Sequence, residues 1–251
     1  MTDSTTSPRP AAPRVSVVIP AKNETAALPR VVADLRAQAI PPLEIVVADA
    51  NSTDGTPDLA RELGCAVVPG GLPAEGRNRG AARARGEWIL FVDADMGLEP
   101  DALEIAMRAC ERRRLDGIST WFKPDHGGRL LRLSLYLSNW YFYLTSKVGW
   151  AHSIGGFILV RRETHEALGG FDTSILVAED VEYTLRIGRY GRYAYLRRPV
   201  VEFAVRRFDK EGTWSMNLKW IGVELHRIFL GEIRKDTFRY FKPGERIPHH
   251  P

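Results

Sequence analysis

Short apolar runs alternate with amphipathic segments along the first 122 residues of this 251-residue chain. The apolar runs are rich in valine and isoleucine and have the length of buried strands. The segments between them place apolar residues three and four positions apart, which is typical of helices with one buried face. This pattern predicts strands at 14–20, 43–48, 65–68, 87–92 and 115–122, and helices at 25–38, 56–64, 73–85 and 100–113.

The alternation of strand and helix indicates an α/β protein with a parallel sheet and helices on both faces. Ligands of such sheets bind beyond the carboxyl ends of the strands. Four loops lie there, at 20–24, 49–55, 69–77 and 93–97. We therefore expect functional residues in these loops.

The second half of the chain is less regular. Its pattern predicts a long helix at 128–148, a strand at 156–161, a helix at 179–190, short strands within 193–205 and a helix at 213–233. Residues 1–13 lack an apolar core and are predicted to be a disordered leader, and the tail at 243–251 is predicted to be loose.

The composition is that of a globular protein, with 44% hydrophobic and 26% charged residues. Two cysteines are too few for a disulfide framework and favour a reduced, cytoplasmic protein. The window 133–146 is too short and too polar to span a membrane, so we expect it on a membrane surface or under a cleft. Its aromatic residues are at helical spacing, which favours a place in the core over an acceptor groove or an interfacial surface.

The net charge of +4 resides in the C-terminal part, because residues 204–251 contain ten lysines and arginines against six acidic residues. Such a segment is either a solvated helix surface or a contact for an anionic partner, such as phosphate or lipid head groups. No nucleic-acid-binding motif accompanies it, so we expect no nucleic-acid partner.

Two carboxylates follow the fourth apolar run. Asp93 and Asp95 flank Ala94, so in an extended segment their side chains point to the same side. They either hold Mg²⁺ or Mn²⁺, which would bridge to a diphosphate, or form an acidic turn that caps the next helix.

The first two strands are also followed by polar loops. Asp49 either accepts a hydrogen bond from a base or a ribose hydroxyl, or stabilises a turn. Glu24, in the loop after the first strand, either offers another carboxylate or lies at the positive end of a helix. Four histidines have no partner at ligand spacing and are predicted to be structural or exposed: His126, His152, His165 and His226.

The loop at 70–79 is rich in glycine and arginine but is neither a P-loop nor a G-x-G-x-x-G motif. Its Arg77 and Asn78 either reach a diphosphate or lie on a surface helix. Glu179 and Asp180 open a predicted helix after an apolar run. They either complement the helix dipole or provide a general base in a partly desolvated cleft.

Four stretches carry a resemblance to a known family: VSVVIPAKNE (15–24), VVADANSTDGT (46–56), GRNRGAARARGEWILFVDADM (76–96) and GGFILVRR…LGGFD…AEDVEYTLRIGRYGR (155–192). With them, residues 15–207 resemble glycosyltransferase family 2, the inverting nucleotide-sugar transferases. The resemblance implies a GT-A fold, with a Rossmann-like, mostly parallel central sheet flanked by helices and a smaller acceptor-side subregion. Residues 14–122 would bind the nucleotide sugar, and residues 123–242 of the same domain would bind the acceptor and carry the catalytic base.

The resemblance also implies roles on the donor side. Seven residues would bind the nucleotide: Pro20, Ala21, Glu24, Asp49, Arg77, Asp93 and Ala94. Asp49 would read the edge of the base, and Arg77 would approach the diphosphate. Asp93 and Asp95 would bind Mg²⁺ or Mn²⁺, with Asp95 the more direct ligand.

On the acceptor side, the resemblance makes Asp180 the base that deprotonates the acceptor hydroxyl. Glu179, Arg206 and Arg207 are further candidates for contact with the diphosphate or the acceptor. The two arginines belong to a segment that resembles an R-R-F/W…G stretch of some family members, with a surface helix as the alternative. Direct attack on the anomeric carbon would invert its configuration, while metal and arginine stabilise the leaving diphosphate.

The expected function is therefore transfer of one sugar per encounter from a UDP-, GDP- or dTDP-sugar, since the Q-x-x-R-W motif of processive members is absent. The acceptor hydroxyl is expected on a polyprenyl-linked or other lipid, with the protein peripheral at the inner face of the cell membrane and acting in cell-envelope polysaccharide or glycolipid biosynthesis. A sugar-phosphate nucleotidyltransferase is an alternative, disfavoured because the first loop reads PAKNE rather than G-x-G-T-R. A non-catalytic nucleotide-sugar-binding protein is another.

Overall fold

The computed structural model of the protein describes residues 15–235. The predicted leader at 1–13 and tail at 243–251 lie outside this range. The strands are β1 (Val15–Ala21), β2 (Glu44–Asp49), β3 (Ala66–Pro69), β4 (Trp88–Val92), β5 (Gly117–Pro124), β6 (Phe157–Arg161) and β7 (Tyr193–Phe203). The helices are α1 (Leu28–Arg36), α2 (Thr56–Glu62), α3 (Pro73–Arg83), α4 (Ala102–Arg113), α5 (Arg129–Lys147), α6 (Arg162–Ala167), α7 (Glu179–Tyr190), α8 (Arg206–Glu211) and α9 (Thr213–Leu230).

These strands form one sheet in the order β3-β2-β1-β4-β6-β5-β7. The chain moves outward from β1 through β2 to β3 and then crosses back to place β4 on the other side of β1, with parallel pairing throughout. The strand order reverses at this point, so a crevice opens beyond the carboxyl ends of β1, β2 and β4. The loops that the sequence singles out lie at this edge.

Strand β6 departs from the parallel sheet expected from the alternating pattern. It runs antiparallel to both β4 and β5, and its first residue, Phe157, pairs with Val92 at the carboxyl end of β4. The chain therefore enters β6 from the edge that carries the crevice. This direction brings the loop between α5 and β6 close to the residues that follow β4. The other strand pairs are parallel, so the sheet as a whole is mostly parallel.

Two apolar cores cover the two faces of the sheet. One packs α1, α4 and α5 on the sheet, and it includes Leu28, Val31 and Leu35, so α1 buries one apolar face as the spacing of its apolar residues predicted. The other packs α3 and α7 on the opposite face. Helix α3 lies so close to β1 that a Cβ on Gly80 would fall 2.3 Å from Cγ1 of Val18, which explains a glycine inside this helix.

Several boundaries differ from the sequence-based prediction. Helix α1 begins at Leu28 instead of residue 25, and the predicted short strands within 193–205 are one continuous strand, β7. Helix α2 begins at Thr56 as predicted, with Gly55 as its N-cap, and ends at Glu62 instead of residue 64. Helix α6 was not predicted, and α8 was considered only as the surface-helix alternative for the segment of Arg206 and Arg207, because six residues are too few to show a helical period.

The aromatic residues of α5 were predicted to lie in the core. This is wrong for Tyr136 and Tyr141, which are 48% and 37% exposed, whereas Phe142 does pack against the core. The helix buries its opposite face through Leu131 and Leu135. Within residues 15–235, no helix combines the length and the apolar character needed to cross a membrane.

Candidate active site

Hydrogen bonds join the loops that follow β1 and β2. The backbone N–H of Asn23 donates to Oγ of Ser52 at 2.9 Å, and the N–H of Thr53 donates back to Oδ1 of Asn23 at 2.9 Å. The N–H of Glu24 donates to Oγ1 of Thr56 at 2.9 Å. These contacts hold the two loops as one wall of the crevice.

Asp49 lies at the carboxyl end of β2, beside Ala21, and Pro20 pairs with Ala48 one residue earlier. Oδ2 of Asp49 accepts the backbone N–H of Ser52 at 3.1 Å. Oδ1 is buried, and no donor among the described residues reaches it. A buried carboxylate oxygen without a donor costs free energy, so this atom fits a donor supplied by a ligand.

Asp93, Ala94 and Asp95 follow β4 in a turn instead of the extended segment that the sequence suggested, with the N–H of Met96 donating to the carbonyl of Asp93 at 3.2 Å. Because of this turn, the two carboxylates contact different cations. Ala94 is buried between them.

Arg206, at the start of α8, bridges two carboxylates from the other half of the chain. Its Nη2 lies 2.7 Å from Oδ2 of Asp95, and 3.0 and 3.1 Å from the two carboxylate oxygens of Glu24. Burial raises the pKa of both carboxyl groups, and the positive charge of Arg206 opposes that rise. Arg207 follows on α8 and is exposed.

The space between Glu24 and Asp95 attracts a cation, as the guanidinium of Arg206 shows. Carboxylate oxygens are the ligands that Mg²⁺ and Mn²⁺ prefer. Residues 15–235 contain no group of three or more His, Cys, Asp and Glu side chains arranged as a complete metal site. Mg²⁺ is commonly bound by one or two carboxylates together with substrate phosphates and water, so Asp93 and Asp95 fit a cation held jointly with a diphosphate.

Arg77, on α3, is only 4% exposed and connects the donor side of the crevice with α7. Its Nη1 lies 2.5 Å from Oε1 of Glu179, and its Nη2 lies 3.0 Å from Oδ1 of Asp93. The predicted contact of Arg77 with a diphosphate remains a prediction. What the geometry shows is a buried cation that holds two carboxylates, from the turn after β4 and from α7, in one site.

Asn78, the neighbour of Arg77, was considered a diphosphate ligand from sequence. Its side-chain amide instead pairs with the backbone of Phe171, donating to the carbonyl at 2.8 Å and accepting the N–H at 2.8 Å. Asn78 therefore fixes the turn that precedes α7 to α3.

Asp180 lies in the first turn of α7 and is half-buried. Its Oδ1 accepts the backbone N–H of Val181 at 2.8 Å, and its Oδ2 accepts the N–H of Gly155. Burial, followed by the negative charge of Glu179, raises the pKa of Asp180 to about 7, against the opposing positive charge of Arg77. A carboxylate with this pKa accepts a proton readily near neutral pH.

Gly155 is a positioning residue that sequence reasoning missed. It lies in the loop between α5 and β6, and a Cβ at this position would fall 2.6 Å from Oδ2 and 2.8 Å from Cβ of Asp180. The only signal in the sequence was a pair of glycines before a strand. The absence of a side chain lets Asp180 approach the backbone N–H.

We expect Gly155→Ala to lower kcat about tenfold to a hundredfold while nucleotide affinity stays unchanged, because a small displacement of a reacting group has effects of this size. Steady-state kinetics and calorimetry of nucleotide binding check this. Gly128→Ala is the matched control, since a Cβ on Gly128 meets no atom within 4 Å. Equal kcat values for the two variants would contradict the role of Gly155.

Comparison with known proteins assigns the family. Residues 16–169 match the model of the family described as Glycosyl transferase family 2. This match spans more than half of the chain, and the chain therefore belongs to glycosyltransferase family 2. The resemblance noted from the four sequence stretches is confirmed.

This chain spans only part of the length of two curated relatives. The succinoglycan biosynthesis protein ExoA of Rhizobium meliloti (strain 1021) is 28% identical over 199 residues, covering 70% of this chain and 58% of the relative. A 4,4'-diaponeurosporenoate glycosyltransferase of Staphylococcus haemolyticus (strain JCSC1435) is 30% identical over 122 residues, covering 45% of this chain and 32% of the relative. The matches thus cover 58% and 32% of these two proteins.

Solved structures confirm the GT-A fold. The mannosyltransferase PcManGT from Pyrobaculum calidifontis, in complex with GDP-Man and Mn²⁺, matches with a TM-score of 0.65 and 26% sequence identity. The match covers 82% of this chain and 60% of the PcManGT chain. S. aureus TarS in complex with UDP-GlcNAc matches with a TM-score of 0.62 and 20% sequence identity. The match covers 77% of this chain and 59% of the TarS chain.

Proposed function

We propose that the protein is an inverting glycosyltransferase that moves one sugar from a nucleoside diphosphate sugar to an acceptor hydroxyl. The observation that carries this proposal is the pair of contacts made by Arg77, which joins Asp93 to Glu179 and so places the acidic turn after β4 beside Asp180. The carboxylates proposed for the donor side and for the acceptor side thereby lie in one site. Family membership favours this activity over nucleotidyl transfer and over a purely binding role.

The donor nucleoside would lie beyond β1 and β2, against Pro20, Ala21 and Glu24. The buried Oδ1 of Asp49 supports this placement, because a base N–H or a ribose hydroxyl would give it the donor it lacks among residues 15–235. Ala94 would contact the nucleotide from the turn after β4. The solved relatives bind GDP-Man and UDP-GlcNAc, and a UDP-, GDP- or dTDP-sugar fits the same proposal.

The diphosphate would lie near Asp93 and Asp95, which would hold Mg²⁺ or Mn²⁺, with Asp95 the more direct ligand. A bound divalent cation supplies stabilisation of the negative charge that builds on the leaving diphosphate. Arg206 would then leave Asp95 and, with Arg207, approach the diphosphate. Glu24 would keep its place beside the nucleoside.

On the acceptor side, the carboxylate of Asp180 would take the proton of the acceptor hydroxyl as its oxygen attacks the anomeric carbon. Attack from the side opposite the diphosphate inverts the configuration. Glu179 stays paired with Arg77 and, through its negative charge, raises the pKa of Asp180, which makes Asp180 a stronger base near neutral pH.

The acceptor hydroxyl would be carried by a polyprenyl-linked or other lipid at the inner face of the cell membrane, as in biosynthesis of a cell-envelope polysaccharide or glycolipid. Two features support this part: the loop that carries Gly155 comes directly from α5, and α5 exposes apolar side chains along most of its length. The name of the Rhizobium relative, a succinoglycan biosynthesis protein, agrees with it.

A thermal-shift panel of UDP-, GDP- and dTDP-sugars, with and without Mn²⁺, tests the donor and the metal together. We expect one nucleotide class to raise Tm most when Mn²⁺ is present, because a ligand at a hundred times its Kd stabilises the folded state by about 2.7 kcal/mol. Equal stabilisation without Mn²⁺ would argue against the metal. No stabilisation by any of these sugars would argue against the proposed function, and NMR of the product's anomeric proton would test inversion.

A further inference from the structure

The exposed apolar side chains of this protein are concentrated on two helices. Among residues 15–235, sixteen large hydrophobic side chains are exposed, and fifteen of them lie on α5, on α9 or in the turn directly after α5. Monomeric proteins rarely expose contiguous apolar patches of this kind without a binding role. The one exception, Tyr190, ends α7.

Helix α9 carries an apolar stripe on its solvent side. The stripe runs through Trp214, Leu218, Ile221, Leu225 and Phe229, whose exposed fractions lie between 49% and 76%. Spacings of four and three residues keep these side chains on one face of a helix. The opposite face packs on the protein, so α9 has one protein-facing side and one apolar side without a partner in the described structure.

Helix α5 repeats this arrangement. Its exposed stripe consists of Leu130, Leu133, Leu137, Tyr141 and Leu144, and Val148 continues the stripe just past the helix. The two stripes are adjacent, since the hydroxyl of Tyr141 donates to Oε1 of Glu224 on α9 at 2.9 Å. We name the two stripes together the α5–α9 face.

Cations and aromatic rings border this face. Helix α5 contains Arg129, Arg132 and Lys147 but no acidic residue. Nζ of Lys147 lies 5.0 Å from the ring centre of Tyr143, and the guanidinium of Arg197 lies 5.2 Å from the ring of Trp140. Amphipathic helices with a basic border and with Trp or Tyr at the edge bind the headgroup region of anionic bilayers.

We infer that the α5–α9 face docks on the surface of an anionic lipid bilayer. Charge favours this partner over a second copy of the chain, because pairing two copies through this face would bring the cations of both α5 helices together without acids on that helix to neutralise them. This inference adds a membrane-binding surface to the proposed function. Binding of the face to a bilayer does not depend on that function, but the explanation of the binding by a lipid-linked acceptor rests on it.

Docking on this face would hold the crevice close to the lipid. The loop from α5 leads to Gly155, whose N–H binds Asp180. Val223 of α9 packs with Ile233 and Val177, three residues before Asp180. The segments that position the proposed base are thus continuous with the docking helices, and a hydroxyl at the end of a lipid carrier would meet Asp180 near the headgroups.

Vesicle flotation of the full chain tests this inference, with phosphatidylcholine vesicles compared with vesicles that also contain phosphatidylglycerol. We expect binding to the anionic vesicles that weakens as salt increases. Leu137→Gln combined with Leu218→Gln should lower the vesicle affinity about a hundredfold, because each buried leucine accounts for about tenfold. Tyr190→Gln, the matched control at the exposed apolar residue outside the face, should bind like the unaltered protein.

Three results would overturn the inference. They are no flotation at low salt, flotation of the double variant equal to that of the unaltered protein, or light scattering that shows the unaltered protein as a dimer and the double variant as a monomer. The nucleotide-sugar thermal shift, measured on the same variants, separates this inference from the proposed function. Loss of vesicle binding with an unchanged thermal shift supports the docking face. Vesicle binding without any nucleotide-induced shift would leave the docking face standing and contradict the glycosyltransferase proposal.

Discussion

Asp180→Asn is expected to lower the rate of sugar transfer by about 10²- to 10⁴-fold, the usual contribution of a general base. The amide cannot accept the acceptor's proton, but it keeps the size of the carboxylate, and its single oxygen can still accept one of the two backbone N–H groups, of Gly155 or of Val181, that the carboxylate accepts. Donor binding should therefore stay nearly unchanged. Single-turnover transfer and calorimetry with the donor nucleotide measure the two effects separately.

The fold should tolerate this substitution. Because burial raises the pKa of Asp180 to about 7, the folded state loses stability as the pH rises from about 4, the ordinary range of an aspartate, to about 7, and the full cost remains above that pH. A neutral asparagine removes this cost. The Tm of the variant at pH 8 should equal or exceed that of the unaltered protein. Asp172→Asn, in the loop before α7 where Asp172 pairs with Arg234, is the control and should keep its kcat. Normal transfer by Asp180→Asn would remove Asp180 as the base.

The pH dependence of the unaltered protein is the companion result. The base acts as the carboxylate, so kcat/KM should fall about tenfold for each pH unit below the pKa of about 7 and level off above it. A decline that begins only near pH 4, the ordinary range of an aspartate, would show that the proton-accepting group is not Asp180.

Asp95→Ala is expected to weaken Mn²⁺-dependent nucleotide binding about tenfold to a hundredfold and to lower transfer accordingly. The substitution removes the carboxylate proposed as the more direct metal ligand and leaves Arg206 with Glu24 alone. Calorimetry of the donor nucleotide with and without Mn²⁺ is the measurement, and affinity without Mn²⁺ should change little.

Asp101→Ala is the control for the loss of one negative charge near Asp95 in the sequence. Asp101 is the N-cap of α4 and is not among the residues of the proposed site. It should leave the Mn²⁺ effect intact. If Asp95→Ala bound nucleotide in the presence of Mn²⁺ as tightly as this control, the proposed metal site would be wrong.

Periodicity predicted the elements of the first half well, because β1, β2, β4, α1 and α4 each bury a continuous apolar surface. It did not predict the direction of β6, since the apolar pattern of a buried strand is the same whether it pairs parallel or antiparallel to its neighbours. It also failed for the exposed rings of α5: Tyr136 and Phe142 are equally compatible with a helical core pattern, and only packing distinguishes them.

For the site, position at the carboxyl ends of strands was enough to select Glu24, Asp49 and Asp93. The bond between Arg77 and Glu179 was not predictable, because the two residues are 102 positions apart and each is common on a helix surface. Gly155 was missed for a related reason. Its role depends on the close approach of its own loop, between α5 and β6, to Asp180 on α7, and the sequence does not show this approach.

The double ion pair of Arg77 has a consequence for protein engineering. A chimera that takes the donor-binding part from one family member and the acceptor-binding part from another would cut between Asp93 and Glu179, the two partners of this one buried cation. Removing either partner leaves the buried guanidinium with one ion pair instead of two and takes the acceptor from one of its N–H groups, which costs about 1–3 kcal/mol. Exchanges of specificity in this protein therefore have to carry all three residues as a unit, whichever loops are swapped around them.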